Sequence, residues 1–511
     1  MLTACQEPAS EAPAEESIFK PALLLMVGRT LAFAATFFIP VALVRIFTPE
    51  QFGTYKQLFL VFSTAFLISQ LGMATTLYYF LPQAPQHAGK YVANSLLFLA
   101  GVGICCLGIV TGGAQLIARW LSNAQLAAYL PWIGIYTFCM TLSAPLEIVM
   151  ISRRRYSWAA TSYALSDLAR AAALILPVLL FRQMEGLLMG AVAVALARVV
   201  VMVVCFRREF RGGLTPDRIL LKQQLAYALP FSAAVLVEIL QASIPQYVVS
   251  SMFNPAIFAI FAVGCLQIPL VDVAASPTSD VMMVRMQELL TAGRMSAVLE
   301  VWRDTTSKLA LLFFPLAAFA IFSSREIIVL LFTRKYLGSV PIFGIWSAMI
   351  VLSAFQVDGV MRVFAQTRFL FALNIMRLVI IVALLRWSLA EFYLTGPVLV
   401  VLLANTAFKV AGLIRMRKLL CTGVTDLLPW QRLGSILAAA CCGGTAAVAV
   451  ESSLHLGPAI VLSAMGAAFV IVYAALVWYF GLVNTDEKAA LTGWARRRRD
   501  AIFGTPAFGK G

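Results

Sequence analysis

The sequence predicts an all-α, polytopic membrane protein with about 14 transmembrane helices. Of its 511 residues, 61% are apolar and only 12% are charged, and the mean hydropathy is +0.88. Soluble domains usually contain roughly 45–50% apolar and about 25% charged residues. The apolar residues also fall in runs of about 18 to 25, the length that a helix needs to cross a hydrocarbon core ~30 Å thick. Each run is therefore a candidate span.

The candidate spans follow one another with short charged connectors. Their approximate bounds are 22–44, 57–80, 92–117, 130–150, 160–181, 186–206, 225–249, 256–280, 308–323, 340–360, 368–387, 395–414, 431–450 and 457–481. An even number of spans places both termini on the same side of the membrane. Of the 39 Lys and Arg residues, 26 lie on that side, 8 lie on the other side and 5 lie within spans. The positive-inside rule then predicts that both termini are cytoplasmic, in a bacterial inner membrane.

The composition argues against several other classes of protein. The net charge of +15 does not indicate nucleic-acid binding, because the basic residues lie in connectors and not on one hydrophilic face. The nine cysteines lack metal-ligand spacing, and the chain has only two histidines, His87 and His455. It also has no Walker A pattern that could bind a nucleotide. We therefore expect no enzyme activity, no metal and no cofactor.

An internal repeat divides the chain. Residues 45–55 (RIFTPEQFGTY) align with residues 251–261 (SMFNPAIFAIF), which pairs proline with proline and three aromatic residues with three others. Residues 134–144 (GIYTFCMTLSA) match residues 344–354 (GIWSAMIVLSA) at a similar offset. Many transporters contain two such related halves. The repeat predicts two homologous six-helix lobes followed by two extra C-terminal helices.

The predicted domain organisation follows from the spans and the repeat. It consists of a cytosolic tail (1–21), an N-lobe (22–206), a cytoplasmic linker between the lobes (207–224), a C-lobe (225–414), helices 13 and 14 (415–481) and a basic cytosolic tail (482–511). Prolines inside spans 1, 7 and 8 predict bends there, because proline removes a backbone hydrogen bond. These prolines are Pro40, Pro230, Pro245, Pro269 and Pro277.

The loop sequence at 45–55 and the Leu-Gly pair within 70–74 (QLGMA) resemble the polysaccharide flippases of the multidrug/oligosaccharidyl-lipid/polysaccharide (MOP) exporter superfamily. Residues 326–336 (EIIVLLFTRKY) resemble a turn of the same family, with Thr333 where glycine is usual. The resemblance covers nearly the whole chain. It implies a V-shaped, MATE- and MurJ-like transporter with two lobes that moves an undecaprenyl-pyrophosphate-linked oligosaccharide from the cytoplasmic to the periplasmic leaflet. Membrane lipids, a polysaccharide polymerase and a co-polymerase are the further partners it implies, for surface polysaccharide or exopolysaccharide synthesis.

Charged residues inside spans are the candidate site residues, because a charge at the centre of a span costs about 2.5–3.5 kcal/mol on insertion scales. Cations suited to a pyrophosphate are Arg29, Arg170, Arg377 and Arg198. Carboxylates suited to proton or sodium coupling, or to gating, are Glu238, Asp272 and Asp167.

Each of these assignments has a structural alternative. Asp167 and Arg170 stand at i and i+3 and could neutralise each other. Arg198 could extend to the cytoplasmic surface, and for Lys409 that is the leading interpretation. Glu238 and Asp272 could instead form salt bridges to an arginine of the opposite lobe.

Three other functions stay open from the sequence. A cation-coupled drug or metabolite antiporter of the same superfamily would need an apolar and acidic cavity. A lipid II flippase would have the same helix count. A membrane-embedded glycosyltransferase or polymerase would need a longer extramembrane loop or a carboxylate cluster.

Overall fold

The computed structural model describes residues 36–454 and 456–482, and in these two ranges the chain forms helices and no strand. The helices are α1 (Thr36–Ile46), α2 (Pro49–Gln70), α3 (Thr76–Gln83), α4 (Ala88–Gly112), α5 (Ala114–Trp120), α6 (Leu126–Ser143), α7 (Pro145–Ser152), α8 (Tyr156–Phe181), α9 (Met184–Glu209), α10 (Arg218–Met252), α11 (Pro255–Gly264), α12 (Pro269–Thr291), α13 (Met295–Phe322), α14 (Ser324–Phe332), α15 (Val340–Leu352), α16 (Val357–Val363), α17 (Thr367–Phe392), α18 (Thr395–Leu419), α19 (Val424–Leu427), α20 (Trp430–Ser453) and α21 (Pro458–Tyr479). Short 3₁₀ helices occupy Pro85–His87 and Arg334–Ser339.

Many of these helices are long and apolar enough to cross a membrane. The described residues contain eleven such helices, or twelve if α11 and α12, which are bent by 46° relative to each other, form one span. The prediction of an all-helical, multi-pass membrane protein is confirmed. The count of fourteen spans stays a prediction, since α1 has only eleven described residues and α2 carries polar residues in its first turns.

The two repeated segments begin a helix in the same way. Thr48 and Gln51 exchange hydrogen bonds with each other's backbone N–H groups at the start of α2, and Pro49 is its first residue. At the start of α11 the Asn254 side chain accepts a hydrogen bond of 2.9 Å from the N–H of Ile257. A cap followed by proline satisfies N–H groups that a helix leaves open at its first turn. This requirement explains why the sequence pattern recurs.

Several apolar runs contain a break. The second run is divided at Leu71 and Gly72, whose φ angles of +39° and +66° lie in the left-handed region and end α2. Glycine adopts this conformation without a steric penalty, which accounts for the Leu-Gly pair. The predicted bend in span 8 is confirmed as the break before Pro269, whereas α10 continues through both of its prolines.

The chain forms two compact units. Among the described residues, unit 1 contains 36–46, 61–118 and 124–233, and unit 2 contains 47–60, 119–123, 234–454 and 456–482. The chain passes from unit 1 to unit 2 inside α10, between Ala233 and Ala234. The predicted linker 207–224 lies wholly in unit 1, and the lobe boundaries proposed from the sequence stay a prediction.

Unit 1 is built around an apolar cluster from α3, α4, α7 and α9. Two of its helices, α8 and α9, approach closely at Gly190, where a Cβ atom would overlap the carbonyl group of Ala173. Small residues permit such contacts between membrane helices, where dispersion replaces the hydrophobic effect as the main attraction.

The start of α10 is anchored in unit 1. Asp217 accepts hydrogen bonds from Lys90 at 3.1 Å and from the N–H of Ile219 at 3.0 Å. Lys90, together with the backbone N–H groups of Leu220 and Ile219, holds the pKa of Asp217 below its usual value. Two turns further on, the buried Gln224 amide donates to the Ser95 hydroxyl and to the carbonyl of Tyr91.

Unit 2 is centred on α13, whose buried aromatic residues include Trp302 and Phe313. The first turns of α2 also belong to unit 2 and carry a buried polar network. Gln57 donates hydrogen bonds to Ser250 Oγ and the Leu121 carbonyl, and Asn123 donates to Gln57 Oε1 at 2.6 Å. Gly53 lies against the backbone of Pro255 so closely that a Cβ atom would overlap it. This segment is therefore fixed by hydrogen bonds and by close backbone packing.

Candidate functional site

The candidate site is a charged cavity of about 350 Å³ within unit 2. The membrane helices α10, α12, α15, α17 and α18 surround it together with α16. Its charged lining consists of Glu238, Asp272, Asp358, Arg362, Arg377 and Lys409. Polar side chains complete the lining, among them Gln356, Asn374 and Asn405. Three sequence-predicted residues, Glu238, Asp272 and Arg377, thus meet at one cavity.

The backbone around the cavity positions these groups. Gln241 on α10 donates a hydrogen bond of 2.6 Å to the backbone carbonyl of Asn374, which joins α10 to α17. Arg377 follows Asn374 by three residues, so both side chains lie on the same face of α17. The break between α15 and α16 brings Gln356 to the cavity, where its amide donates to the carbonyl of Ser353.

Lys409 and Asp358 form an ion pair across the cavity wall. Lys409 Nζ lies 3.4 Å from Asp358 Oδ2, and the lysine side chain is largely buried. The predicted extension of Lys409 to the cytoplasmic surface stays a prediction. The pairing with Asp358 reduces the cost of keeping both charges among apolar helices.

Arg377 lies in the field of two carboxylates, Asp358 and Glu238. Its Nε and the Oδ1 atom of Asp358 are buried and have no hydrogen-bond partner in the described part of the chain. Glu238 and Asp272 are exposed to the cavity, and neither forms an ion pair with another described residue. The cavity therefore combines an arginine with unused donor capacity and two carboxylates that are open to a ligand.

The arrangement is not a preformed metal centre. Among residues 36–454 and 456–482, no group of three or more His, Cys, Asp or Glu side chains is placed to hold a metal ion. The cavity is lined by three carboxylates and three basic groups, and Lys409 already pairs with one of the carboxylates, Asp358. Such a lining suits a transient ion or proton better than a permanently bound metal.

In unit 1 the structure pairs the predicted charges with one another. Arg170 Nη2 lies 2.7 Å from Asp167 Oδ1 and also donates a hydrogen bond to Thr36 Oγ1. The neutralising pair that the i, i+3 spacing allowed is therefore present. The internal repeat pairs Arg170 with Arg377 at an offset of 207 residues, between those of the two aligned segments. Arg377 has Asn374 in place of the aspartate and lines the unit 2 cavity instead.

Arg198 is held inside unit 1. Its Nη2 lies 2.6 Å from Glu147 Oε2, and its Nε donates a hydrogen bond to Ser143 Oγ. Glu147 is 2% exposed and also accepts a hydrogen bond from Ser162. A buried carboxylate thus binds Arg198 inside unit 1, and its roles as a substrate-binding cation and as a group that extends to the cytoplasmic surface stay predictions. Arg29 lies outside the described residues.

The comparisons with known proteins identify the family. Residues 42–341, more than half of the chain, match the family described as "Polysaccharide biosynthesis protein". The chain belongs to this family. No curated protein sequence matches the chain significantly.

Solved structures of transport proteins share the fold of this chain. The lipid II flippase MurJ, in an inward closed conformation, aligns with a TM-score of 0.69 at 12% identity, over 89% of this chain and 100% of MurJ. An inward-facing multidrug resistance MATE transporter gives 0.61 at 13% identity, over 80% and 98%. A MOP superfamily transporter from Pyrococcus furiosus gives 0.55 at 13% identity, over 79% and 95%.

Together, the family match and the fold confirm the resemblance to the polysaccharide flippases of the MOP superfamily. The structural relatives are named as a flippase and as transporters. At these low identities the structures show the fold alone.

Sequence reasoning missed part of this site. Asp358 and Lys409 are charges within predicted spans, but nothing in the sequence indicates that they pair. Arg362 lies just beyond the predicted span 340–360 and Gln356 lies inside it, and hydropathy does not reveal the break at 353–356. Glu147 lies in the first turn of α7, inside the predicted span 130–150, and is the buried partner of Arg198.

Proposed function

We propose that this protein is a flippase that moves an undecaprenyl-pyrophosphate-linked oligosaccharide from the cytoplasmic to the periplasmic leaflet of a bacterial inner membrane. The movement would occur by alternating access and supply units for surface polysaccharide or exopolysaccharide. Membership in the polysaccharide biosynthesis protein family supports the pathway, and the MOP transporter fold supports translocation. Polymerase and co-polymerase would be the proteins that use the flipped unit.

The observation that carries the proposal is the placement of Arg377 in the charged cavity of unit 2. A pyrophosphate group is strongly anionic, and a guanidinium group can bind two of its oxygens at once. Arg362 and Lys409 add positive charge on neighbouring helices, and Asn374 and Asn405 offer amides for sugar hydroxyl groups. Inside a membrane these groups are costly unless a polar ligand enters the cavity.

The carboxylates of the same cavity support coupling to H⁺ or Na⁺. Glu238 and Asp272 face the cavity without an ion pair in the described part of the chain. Binding of one proton or one sodium ion would make the cavity more positive by one charge, which strengthens its attraction for an anionic head group. Release of the cation would weaken it again. Differential affinity of this kind is what an ion gradient needs in order to bias a conformational equilibrium.

A deletion strain tests the proposed function. We expect the deletion to abolish surface polysaccharide or exopolysaccharide and to accumulate lipid-linked intermediates, and the intact gene to restore both. Arg377→Ala should fail to complement, while Arg386→Ala, which removes an exposed arginine from the same helix, should complement fully. Normal polysaccharide with increased drug sensitivity in the deletion strain would instead support a drug antiporter.

The coupling proposal has its own test. Glu238→Gln and Asp272→Asn should reduce polysaccharide export and remove its dependence on the proton or sodium gradient. Glu391→Gln, which changes an exposed carboxylate on α17, serves as the control. Retention of gradient dependence in both cavity variants would contradict a coupling role.

A further inference from the structure

Unit 2 contains a second polar cavity, of about 710 Å³, beside the turns that follow α13 and α20. Four charged residues line it, namely Arg325, Glu326, Arg334 and Glu451. The rest of the lining is mainly valine and leucine from α14, α20 and α21 and the turns beside them. None of these residues lines the charged cavity described above. This second cavity is called the α14–α20 cavity below.

Glu326 is the most unusual group in the α14–α20 cavity. The residue is only 8% exposed, and its Oε2 atom has no hydrogen-bond partner among the described residues. A buried carboxylate oxygen without a partner is costly, because the lost hydration is not replaced. The lining therefore contains an acceptor that a ligand with a hydrogen-bond donor would satisfy.

The charged groups around Glu326 come from three elements. Arg325 stands beside it on α14, Arg334 follows in the 3₁₀ helix, and Glu451 lies in the last turn of α20. Helix α21 contributes no charged group to the cavity lining. Burial, followed by a side-chain hydrogen bond with Glu451 and by the charge of that carboxylate, raises the pKa of Glu326 to about 7. The two carboxyl groups can form this hydrogen bond only while one of them is protonated.

The two carboxylates are only weakly compensated by the protein itself. Arg325 Nη1 lies 3.8 Å from Glu451 Oε1, and the side chain of Arg325 is mostly exposed, so this ion pair is weak. Two adjacent carboxylates attract a cation, while two arginines at the same cavity attract an anion. A ligand that carries both charges matches this lining better than a simple ion of either sign.

The apolar part of the lining indicates a lipid. Leu337, Val448 and Leu456 are exposed beside the charged residues, next to the ends of membrane-spanning helices. Polar groups and exposed apolar side chains occur together at the depth of lipid head groups. A divalent metal fits poorly, since Ca²⁺ usually takes 6–8 oxygen ligands and Mg²⁺ needs a regular octahedron.

We infer that the α14–α20 cavity binds a zwitterionic phospholipid that carries a primary ammonium group, with the ammonium at Glu326 and Glu451 and the phosphate at Arg325 and Arg334. A primary ammonium has three N–H donors, so it can satisfy Glu326 Oε2 and also bond Glu451. A quaternary ammonium has no N–H donor and cannot. With both termini cytoplasmic, as proposed, this lipid would belong to the periplasmic leaflet.

A lipid series on the unmodified, full-length protein tests the inference. The lipids share their acyl chains and comprise phosphatidylethanolamine, its N-methylated forms up to phosphatidylcholine, and phosphatidylglycerol. Binding is measured by native mass spectrometry of the detergent-solubilised protein. We expect affinity to fall with each methylation, by about tenfold in total, because donors to the carboxylates are lost. Equal affinity for phosphatidylethanolamine and phosphatidylcholine would overturn the inference.

Variants then locate the binding site. Glu326→Gln and Glu451→Gln should each abolish the preference for phosphatidylethanolamine, whereas the control Glu391→Gln should keep it. The preference of the unmodified protein should also increase from pH 6 to pH 8, as Glu326 becomes ionised. Retention of the preference in both glutamine variants would overturn the placement of the ammonium group at Glu326 and Glu451. If a variant does not fold, the lipid series on the unmodified protein is the test of the inference.

Discussion

Thr333 has a backbone conformation that is unfavourable for a threonine. It follows α14 with φ of +75° and ψ of 166°, a conformation that glycine adopts and other residues avoid. The related flippases usually have glycine at this point of the turn, so the chain keeps the turn without the residue that suits it. The Thr333 hydroxyl is also buried without a hydrogen-bond partner in the described part of the chain.

Replacement of this threonine should therefore stabilise the protein. We expect Thr333→Gly to raise the free energy of unfolding by about 1 kcal/mol, because relief of backbone strain outweighs the extra flexibility of glycine in the unfolded chain. The measurement is the midpoint of thermal unfolding in detergent. Thr395→Gly, at the start of α18, is the control and should lower the midpoint. A lower midpoint for Thr333→Gly would show that the turn is not strained.

Glu326 predicts a pH dependence of stability. Its folded-state pKa of about 7 lies above the value of 4.5 expected for an exposed glutamate, so folding takes up a proton. The glutamate therefore costs stability increasingly as pH rises from about 4.5 through 7. Glu326→Gln should unfold at a higher temperature than the unmodified protein at pH 8, with a smaller difference at pH 5. An equal difference at both pH values would contradict a raised pKa. The experiment omits phosphatidylethanolamine, which would compensate the charge.

Glycine positions set how closely the elements pack. At Gly53 the first turns of α2 meet the backbone of Pro255, and at Gly190 helix α9 meets α8. Neither contact leaves room for a methyl group. The proline, cap and glycine in residues 48–53 thus serve separate purposes: the cap and the proline begin α2, and the glycine lets it approach α11.

A methyl group at Gly53 should destabilise unit 2. We expect Gly53→Ala to lower the free energy of unfolding by about 1–3 kcal/mol, because the helices must move apart to relieve the overlap. Gly101→Ala in α4 is the matched control, since a Cβ atom there meets nothing within 4 Å. Thermal unfolding of both variants in the same detergent provides the comparison. If the two midpoints were the same, the close approach at Gly53 would not be a real constraint.

The sequence predicted the positions of the helices better than the breaks inside the apolar runs. Thirteen of the apolar runs coincide with described helices, because an apolar run long enough to cross the membrane satisfies its backbone hydrogen bonds as a helix. The breaks before Pro145 and at 353–356 were not predicted, since each depends on local backbone conformation inside an apolar run. The resemblance placed the Leu-Gly pair at the end of the second helix, and α2 does end there, although the predicted span continued to residue 80. For the site, the cost of buried charge identified Arg377, Glu238 and Asp272. These three residues lie beside Asp358 and Lys409 only because α10, α12, α16, α17 and α18 pack around one cavity. The spacing of residues along the sequence does not reveal that packing.

At the scale of the whole molecule, the proposed topology places both termini in the cytoplasm. Basic residues in the connectors support this orientation, because translocation of short basic loops is unfavourable. A reporter that is active only in the periplasm, fused at the C-terminus, should stay inactive, and the same reporter inserted after Ser122 should be active. The reverse result would invert the direction assigned to every loop and the leaflet proposed for the α14–α20 lipid.

Lipid translocation by the purified full-length protein tests the central claim most directly. Proteoliposomes would contain a radiolabelled undecaprenyl-pyrophosphate oligosaccharide, and periodate, which does not cross the membrane, would oxidise sugars in the outer leaflet. We expect the unmodified protein and Arg386→Ala to make the inner-leaflet pool accessible, and Arg377→Ala to do so about tenfold more slowly, since a charge-assisted hydrogen bond is lost. An inner pool that stays as protected with the unmodified protein as in protein-free vesicles would contradict the flippase function.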